Sequence, residues 1–166
     1  MSQITFKGKP ITTYGRLPEK GEKAPHFELL NSELNIATLQ DFKGKRVIMN
    51  IFPSIDTHYC ATSVRNFSER ANEMDNVTVL NISRDLPFAQ ERFTREEKIA
   101  NVVNLSDFRE RNFGKDYGLE MIDGPWEGLL SRVVIVLDEN GKILYTQQVK
   151  EINQEPDYLE ALKVLL

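Results

Sequence analysis

The sequence predicts an α/β protein built on a central mixed β-sheet with helices on both faces. Two β-rich apolar runs, "RVIMNIF" at 46–52 and "VTVLNIS" at 77–83, flank a segment whose apolar residues recur at helical spacing. A second pair of β-rich runs closes on the turn Asp138-Glu139-Asn140-Gly141, as a hairpin does. The closing stretch "EPDYLEALKVLL" reads as a helix. With 166 residues, 40% hydrophobic and 28% charged, the chain has the size and profile of one globular domain, 1–166, that folds without a disulfide or a metal.

The elements follow in order. "ITFKGKPITTYG" is a small hairpin with Lys7-Gly8-Lys9-Pro10 as its turn. "FELL" at 27–30 and "IATL" at 36–39 are short strands, and 46–52 is a strand buried on both faces. From residue 58 a helix is expected, because Cys60, Val64, Phe67, Ala71 and Met74 recur at spacings of four, three, four and three. After the strand at 77–83, Asp85 is placed to cap a helix over "LPFAQERF", with Pro87 tolerated in its first turn. "ANVVNL" is a short strand, and "DFRERNFGKDYG" a short helix ending near Gly118. The hairpin spans 131–149, and the last helix has Pro156 near its start and Tyr158, Leu162 and Leu165 on one side. The order β-α-β-α, then β-β-α, is that of a thioredoxin-like fold, here with an N-terminal β-hairpin.

Composition narrows the function. Net charge is −4 and no basic block occurs, so a phosphate-binding footprint for nucleic acid is not expected. Apolar runs such as "VVIVL" are too short to span a membrane, and "MSQITFKGKP" has no secretory pattern, so the expected location is the cytoplasm. The two histidines, His26 and His58, form no metal-ligand spacing with the single cysteine, and no phosphate-binding glycine loop is present. No cofactor is expected.

The single cysteine, Cys60, falls in the first turn of the expected helix. A thiol becomes a good nucleophile as its thiolate, which helix N–H groups and a nearby cation favour. Thr57, at the helix entry, either caps the helix or turns its hydroxyl towards the sulfur and a substrate. Pro53, where the strand gives way to the loop, either ends the strand or shields the sulfur. Arg132 is a candidate cation that sequence does not distinguish from the other arginines. From the residues alone, Cys60 reads equally as core packing or as a nucleophile.

Pro53, Thr57 and Cys60 together spell P-x-x-x-T-x-x-C, and the chain resembles the peroxiredoxins through it. "NIFPSIDTxxCATSVRxF", "ISRDLPFAQERF", "NVVNLSDFRERNFGKDYG" and "DGPWEGLLSRVVIVLDENGKILYTQQVKEI" are similar to the thiol peroxidase branch, over nearly the whole chain. The resemblance implies a peroxidase acting on hydrogen peroxide and alkyl hydroperoxides. Cys60 would attack the peroxide and become a sulfenic acid, Thr57 would hold the peroxide, Pro53 would shield the sulfur, and Arg132, in "L-x-R-x-V-x-V", would be the family's arginine. It also implies a thiol reductant, thioredoxin or a small thiol, and a homodimer with its interface near the site. Trp126, in "DGPWEGLL", reads first as packing.

The chain departs from the branch at the next step. The resolving cysteine expected after "LPFAQxRF" is Thr94, and the cysteine common on the strand 77–83 is Asn81. The intramolecular disulfide cycle is therefore closed to this chain. Three readings follow: a one-cysteine peroxidase reduced by an external thiol, a variant with its cysteines replaced, or a peroxide-sensing or thiol-relay protein without efficient turnover. The choice of Asn and Thr, not Ser or Ala, favours the first. Without a partner cysteine, Cys60 is also more open to over-oxidation. His58 and Tyr59 fill the two variable motif positions, as a solvated first turn or as residues that tune the sulfur and its access.

Overall fold

The computed structural model describes residues 2–166. A hairpin of β1 (Ser2–Phe6) and β2 (Lys9–Thr13) precedes β3 (Leu29–Leu30), β4 (Ile36–Ala37), β5 (Arg46–Ile51), α1 (His58–Ala71), β6 (Val77–Ser83) and α2 (Pro87–Glu96). Then come β7 (Val102–Ser106), α3 (Phe113–Asp116), β8 (Val133–Leu137), β9 (Ile143–Gln148) and α4 (Tyr158–Lys163). The seven-stranded sheet runs β4-β3-β7-β6-β5-β8-β9. β5, β6 and β7 are mutually parallel, and β8 returns antiparallel against β5, so the sheet is mixed and the fold thioredoxin-like, as expected.

Side-chain alternation on β5 assigns its two faces. Val47, Met49 and Ile51 join Phe27, Phe113, Tyr117 and Leu130 in one core layer. Ile48, with Val79, Val134 and Val136, meets Phe67 and Ala71 of α1 and Ala161 and Leu162 of α4 in the other. β5 is thus apolar throughout because it is covered twice. Among the described residues no helix is long and apolar enough to cross a membrane.

Four expectations are corrected. Only Lys7 and Gly8 form the first turn, both at positive φ (52° and 79°), which matches the twist of a two-residue hairpin; Lys9 and Pro10 already belong to β2. α1 ends at Ala71, and Met74 packs against the α4 layer from the following turn. The helix expected over 107–118 shrinks to Phe113–Asp116, because Arg111 takes a left-handed φ of 60° and the buried Asp107 side chain holds Arg84. Burial pushes the Asp107 carboxyl up in spite of that arginine. Asp85 does not cap α2, whose N-cap is Leu86; its carboxylate is used elsewhere.

Candidate active site

The site forms where β5 ends. In the β5–β8 ladder Ile51 faces Val133, so Arg132, one residue before β8, lies across from the chain as it leaves β5 through Phe52 and Pro53. This register places a residue 72 positions downstream against the first turn of α1: Arg132 Nη1 donates to Cys60 Sγ at 3.1 Å. The other edge of the guanidinium is held by one carbonyl, with Nε and Nη2 donating to Ile152 O at 3.0 and 2.8 Å. Cys60 is 0% exposed and Arg132 1%. Among the described residues no carboxylate lies within ion-pair distance of Arg132. The guanidinium's hydrogen-bond partners are thus the Cys60 sulfur and the Ile152 carbonyl.

The surround is apolar. Phe52, Ile55 and Val64 pack about Cys60, with Phe93 and Ile99 closing from the side of α2, and Pro53 is buried beside them. Thr57 is the N-cap residue of α1, yet its side chain does not cap the helix; its hydroxyl donates to Ser54 O at 3.0 Å. The oxygen therefore keeps its lone pairs for another donor, and the first-turn N–H groups of α1 lack a side-chain cap. His58 is exposed, its ring edge-on to Tyr59 at 5.1 Å.

Two features went unread in the sequence. The first is the use of Asp85. Its carboxylate accepts from Ser54 Oγ at 2.8 Å, Ile55 N at 2.7 Å and Ser83 Oγ at 2.7 Å, so it ties the loop before Cys60 to the end of β6. The second is an asparagine ladder. Asn50, Asn81 and Asn104 sit in register on β5, β6 and β7. Asn50 Nδ2 donates to Asn81 Oδ1 at 3.2 Å, and Asn81 Nδ2 to Asn104 Oδ1 at 3.5 Å. At one end Asn50 donates to Ser63 Oγ, which donates to Cys60 O. At the other, Asn104 Nδ2 donates to Thr94 Oγ1 at 3.2 Å and to Gln90 O at 3.3 Å. Thr94 is thus buried in α2 at the far end of the ladder from Cys60. The signal was present: "MNI", "LNI" and "VNL" each set one asparagine in an apolar strand, where its amide must find partners.

A lone buried sulfur beside a buried guanidinium, at a helix start on a thioredoxin-like sheet, is an arrangement that can carry cysteine-based redox chemistry. Comparison with known proteins specifies it. The model of the Redoxin family matches residues 19–162. A thiol peroxidase of Corynebacterium glutamicum is 50% identical over 165 residues, covering 99% of both chains, and one of Mycobacterium bovis is 49% identical with the same coverage. Among solved structures, a peroxiredoxin-like protein from Aquifex aeolicus superposes with a TM-score of 0.91 at 36% identity, over 99% of this chain and 96% of that one. The chain belongs to the Redoxin family and, within it, is a peroxiredoxin-type enzyme of the thiol peroxidase group.

Proposed function

We propose that this chain reduces hydrogen peroxide and alkyl hydroperoxides through Cys60 and is returned to the thiol by external thiols. The supporting observation is the 3.1 Å contact from Arg132 Nη1 to Cys60 Sγ between two buried side chains. The Cys60 thiolate attacks the terminal oxygen of ROOH. The S–O bond forms as the O–O bond breaks, sulfur is oxidised to the sulfenic acid, and RO⁻ leaves to take a proton from water. Thr57, its own proton engaged with Ser54 O, accepts from the peroxide O–H and orients it. Arg132 and the first-turn N–H groups of α1 meet the charge growing on the leaving oxygen. Pro53 keeps water from the sulfur.

Regeneration needs two equivalents of thiol. The first, R′SH, displaces water from the sulfenic acid and forms a mixed disulfide at Cys60. The second attacks that disulfide, releasing R′SSR′ and the Cys60 thiol. Thr94 supplies no sulfur to this sequence, so thioredoxin or a small thiol must act directly on Cys60.

The test follows Cys60 oxidation by rapid mixing with hydrogen peroxide and an alkyl hydroperoxide, then supplies thioredoxin, glutathione or dithiothreitol. Fast oxidation with repeated turnover is expected. Fast oxidation with one turnover under every reductant would mean a peroxide sensor. Oxidation no faster than free cysteine, unchanged by Thr57→Val or Arg132→Met, would refute the peroxidase reading.

A further inference from the structure

We infer that Asp85 is a positioning residue for peroxide reduction: its carboxylate fixes the Ser54–Thr57 loop that sets Thr57 at the start of the helix carrying Cys60. The inference rests on the peroxidase reading of Cys60 and assigns to that site a side chain outside its sequence motif.

Three donors converge on this carboxylate. Ile55 N–H and the Ser54 hydroxyl come from the loop before α1, and the Ser83 hydroxyl comes from β6. Ser54 carries the arrangement onward. Its hydroxyl also accepts from Asp56 N at 3.2 Å, and its carbonyl accepts from both Thr57 N at 3.2 Å and Thr57 Oγ1 at 3.0 Å. The direction in which the Thr57 lone pairs point is therefore set by Ser54, and Ser54 by Asp85. The base of the tether is rigid as well. Ser83 Oγ accepts from Gln90 Nε2 at 3.0 Å, and Gln90 Nε2 donates to Leu105 O at 2.9 Å. The Asp85 carbonyl takes a further bond from the Ser106 hydroxyl.

The loop's other anchors are Phe52 N, which donates to Ile82 O at 3.1 Å where the chain leaves β5, and the exposed Arg92–Asp56 ion pair at 3.3 Å. Pro53 has no N–H to donate, and from Pro53 to Thr57 the chain lies outside the sheet ladder and ahead of the helix. A carboxylate accepting several N–H and O–H bonds gives strong, directional restraint. Asp85 itself bonds the loop through Ser54 and Ile55 and is given no role on the peroxide or the sulfur.

The experiment measures three things separately: the rate of Cys60 sulfenic acid formation with hydrogen peroxide, the rate at which dithiothreitol consumes preformed sulfenic acid, and the melting temperature. Asp85→Ala is expected to slow oxidation about 10- to 100-fold, the range for a misplaced reacting group. The dithiothreitol step is expected to stay within about threefold, because it does not need Thr57 to orient a peroxide. Asp85→Asn is expected to recover most of the loss, since its remaining oxygen still accepts from Ile55 N while the Ser54 hydroxyl reverses to accept from the amide. If Asp85→Ala does not fold, Ser54→Ala carries the test, with an expected loss of about three- to tenfold in the oxidation step alone. A folded Asp85→Ala protein, or failing it Ser54→Ala, that oxidises at the wild-type rate overturns the inference. So does an equal loss in both chemical steps, or a lowered melting temperature with both steps unchanged. Wild-type oxidation no faster than free cysteine would instead sink the peroxidase reading itself, and this inference with it.

Discussion

Replacing Arg132 by methionine removes the one charged donor to the sulfur while keeping a side chain of similar length in a closed apolar site. A unit charge pair at 3.1 Å with an effective dielectric near 20 interacts by about 5 kcal/mol, which bounds the effect from above. Deleting a single donor to a developing oxyanion in other enzymes lowers rates 10²- to 10³-fold, or about 3–4 kcal/mol. The expected fall in the second-order rate of Cys60 oxidation is therefore about 10²- to 10³-fold. Folding is affected less. Ile152 O loses two donors, at about 1–3 kcal/mol, but the desolvated guanidinium goes too and offsets part of this. The assay is rapid mixing with peroxide, quenching at millisecond intervals, dimedone trapping of the sulfenic acid and mass measurement. An Arg132→Met protein with native circular dichroism that oxidises within about threefold of wild type would refute the role given to this contact.

Phe67→Ala removes a fully buried ring between β5, β6 and α4 and should destabilise the protein by about 3–5 kcal/mol in urea titration, with the midpoint shifted and the slope retained. Glu151→Gln tests a pH-dependent clamp. The N–H groups of Asn153 and Gly8 and the Thr5 hydroxyl hold the Glu151 carboxyl below its ordinary range, so its contribution is present above about pH 4.3 and is lost as pH falls through the lower folded value. The melting-temperature gap between wild type and Glu151→Gln should be widest near neutral pH and close in acid; a gap unchanged by acid would contradict the assignment. Thr94→Cys restores a thiol without restoring a direct bond. Both positions are buried, and the Thr94 hydroxyl is engaged with Asn104 and with the Gln90 and Glu91 carbonyls, so a sulfur there must leave these neighbours to reach Cys60. Disulfide formation should therefore lag sulfenic acid formation and quicken in mild urea, and a lag-free disulfide in the native buffer would show the ladder does not keep the two apart.

The sheet was legible because its strands are locally consistent: β5, β6 and β8 are runs of apolar residues bounded by turn signals, and their limits differ from expectation by a residue or two. The helix face of α1 was legible for the same reason, through Cys60, Val64, Phe67 and Ala71. What failed was long-range. Asp85 has the chemistry of an N-cap and the right position, but its carboxylate finds the Ile55 N–H, 30 residues back in the chain, instead. The stretch 107–112 has helical composition, yet Arg84, from the end of β6, binds the Asp107 carboxylate and the Arg111 carbonyl and holds it in a loop. The family pattern points to Arg132, but nothing in its local sequence singles it out, since its contact with Cys60 depends on β8 running antiparallel to β5 in one particular register.

The asparagine ladder makes the two non-cysteine positions unequal as places from which a second thiol could be regained. Thr94 sits at its end. If it becomes cysteine, Asn104 keeps its bond to Gln90 O and loses one weak partner. Asn81 sits in the middle, accepting from Asn50 and donating to Asn104, so cysteine there leaves Asn50 Nδ2 with Ser63 Oγ alone and takes the donor from Asn104 Oδ1. A thiol at 94 thus costs the ladder one end bond, whereas a thiol at 81 breaks both of its internal bonds. For a lineage starting from this sequence, the road back to two cysteines that breaks fewer buried bonds runs through α2.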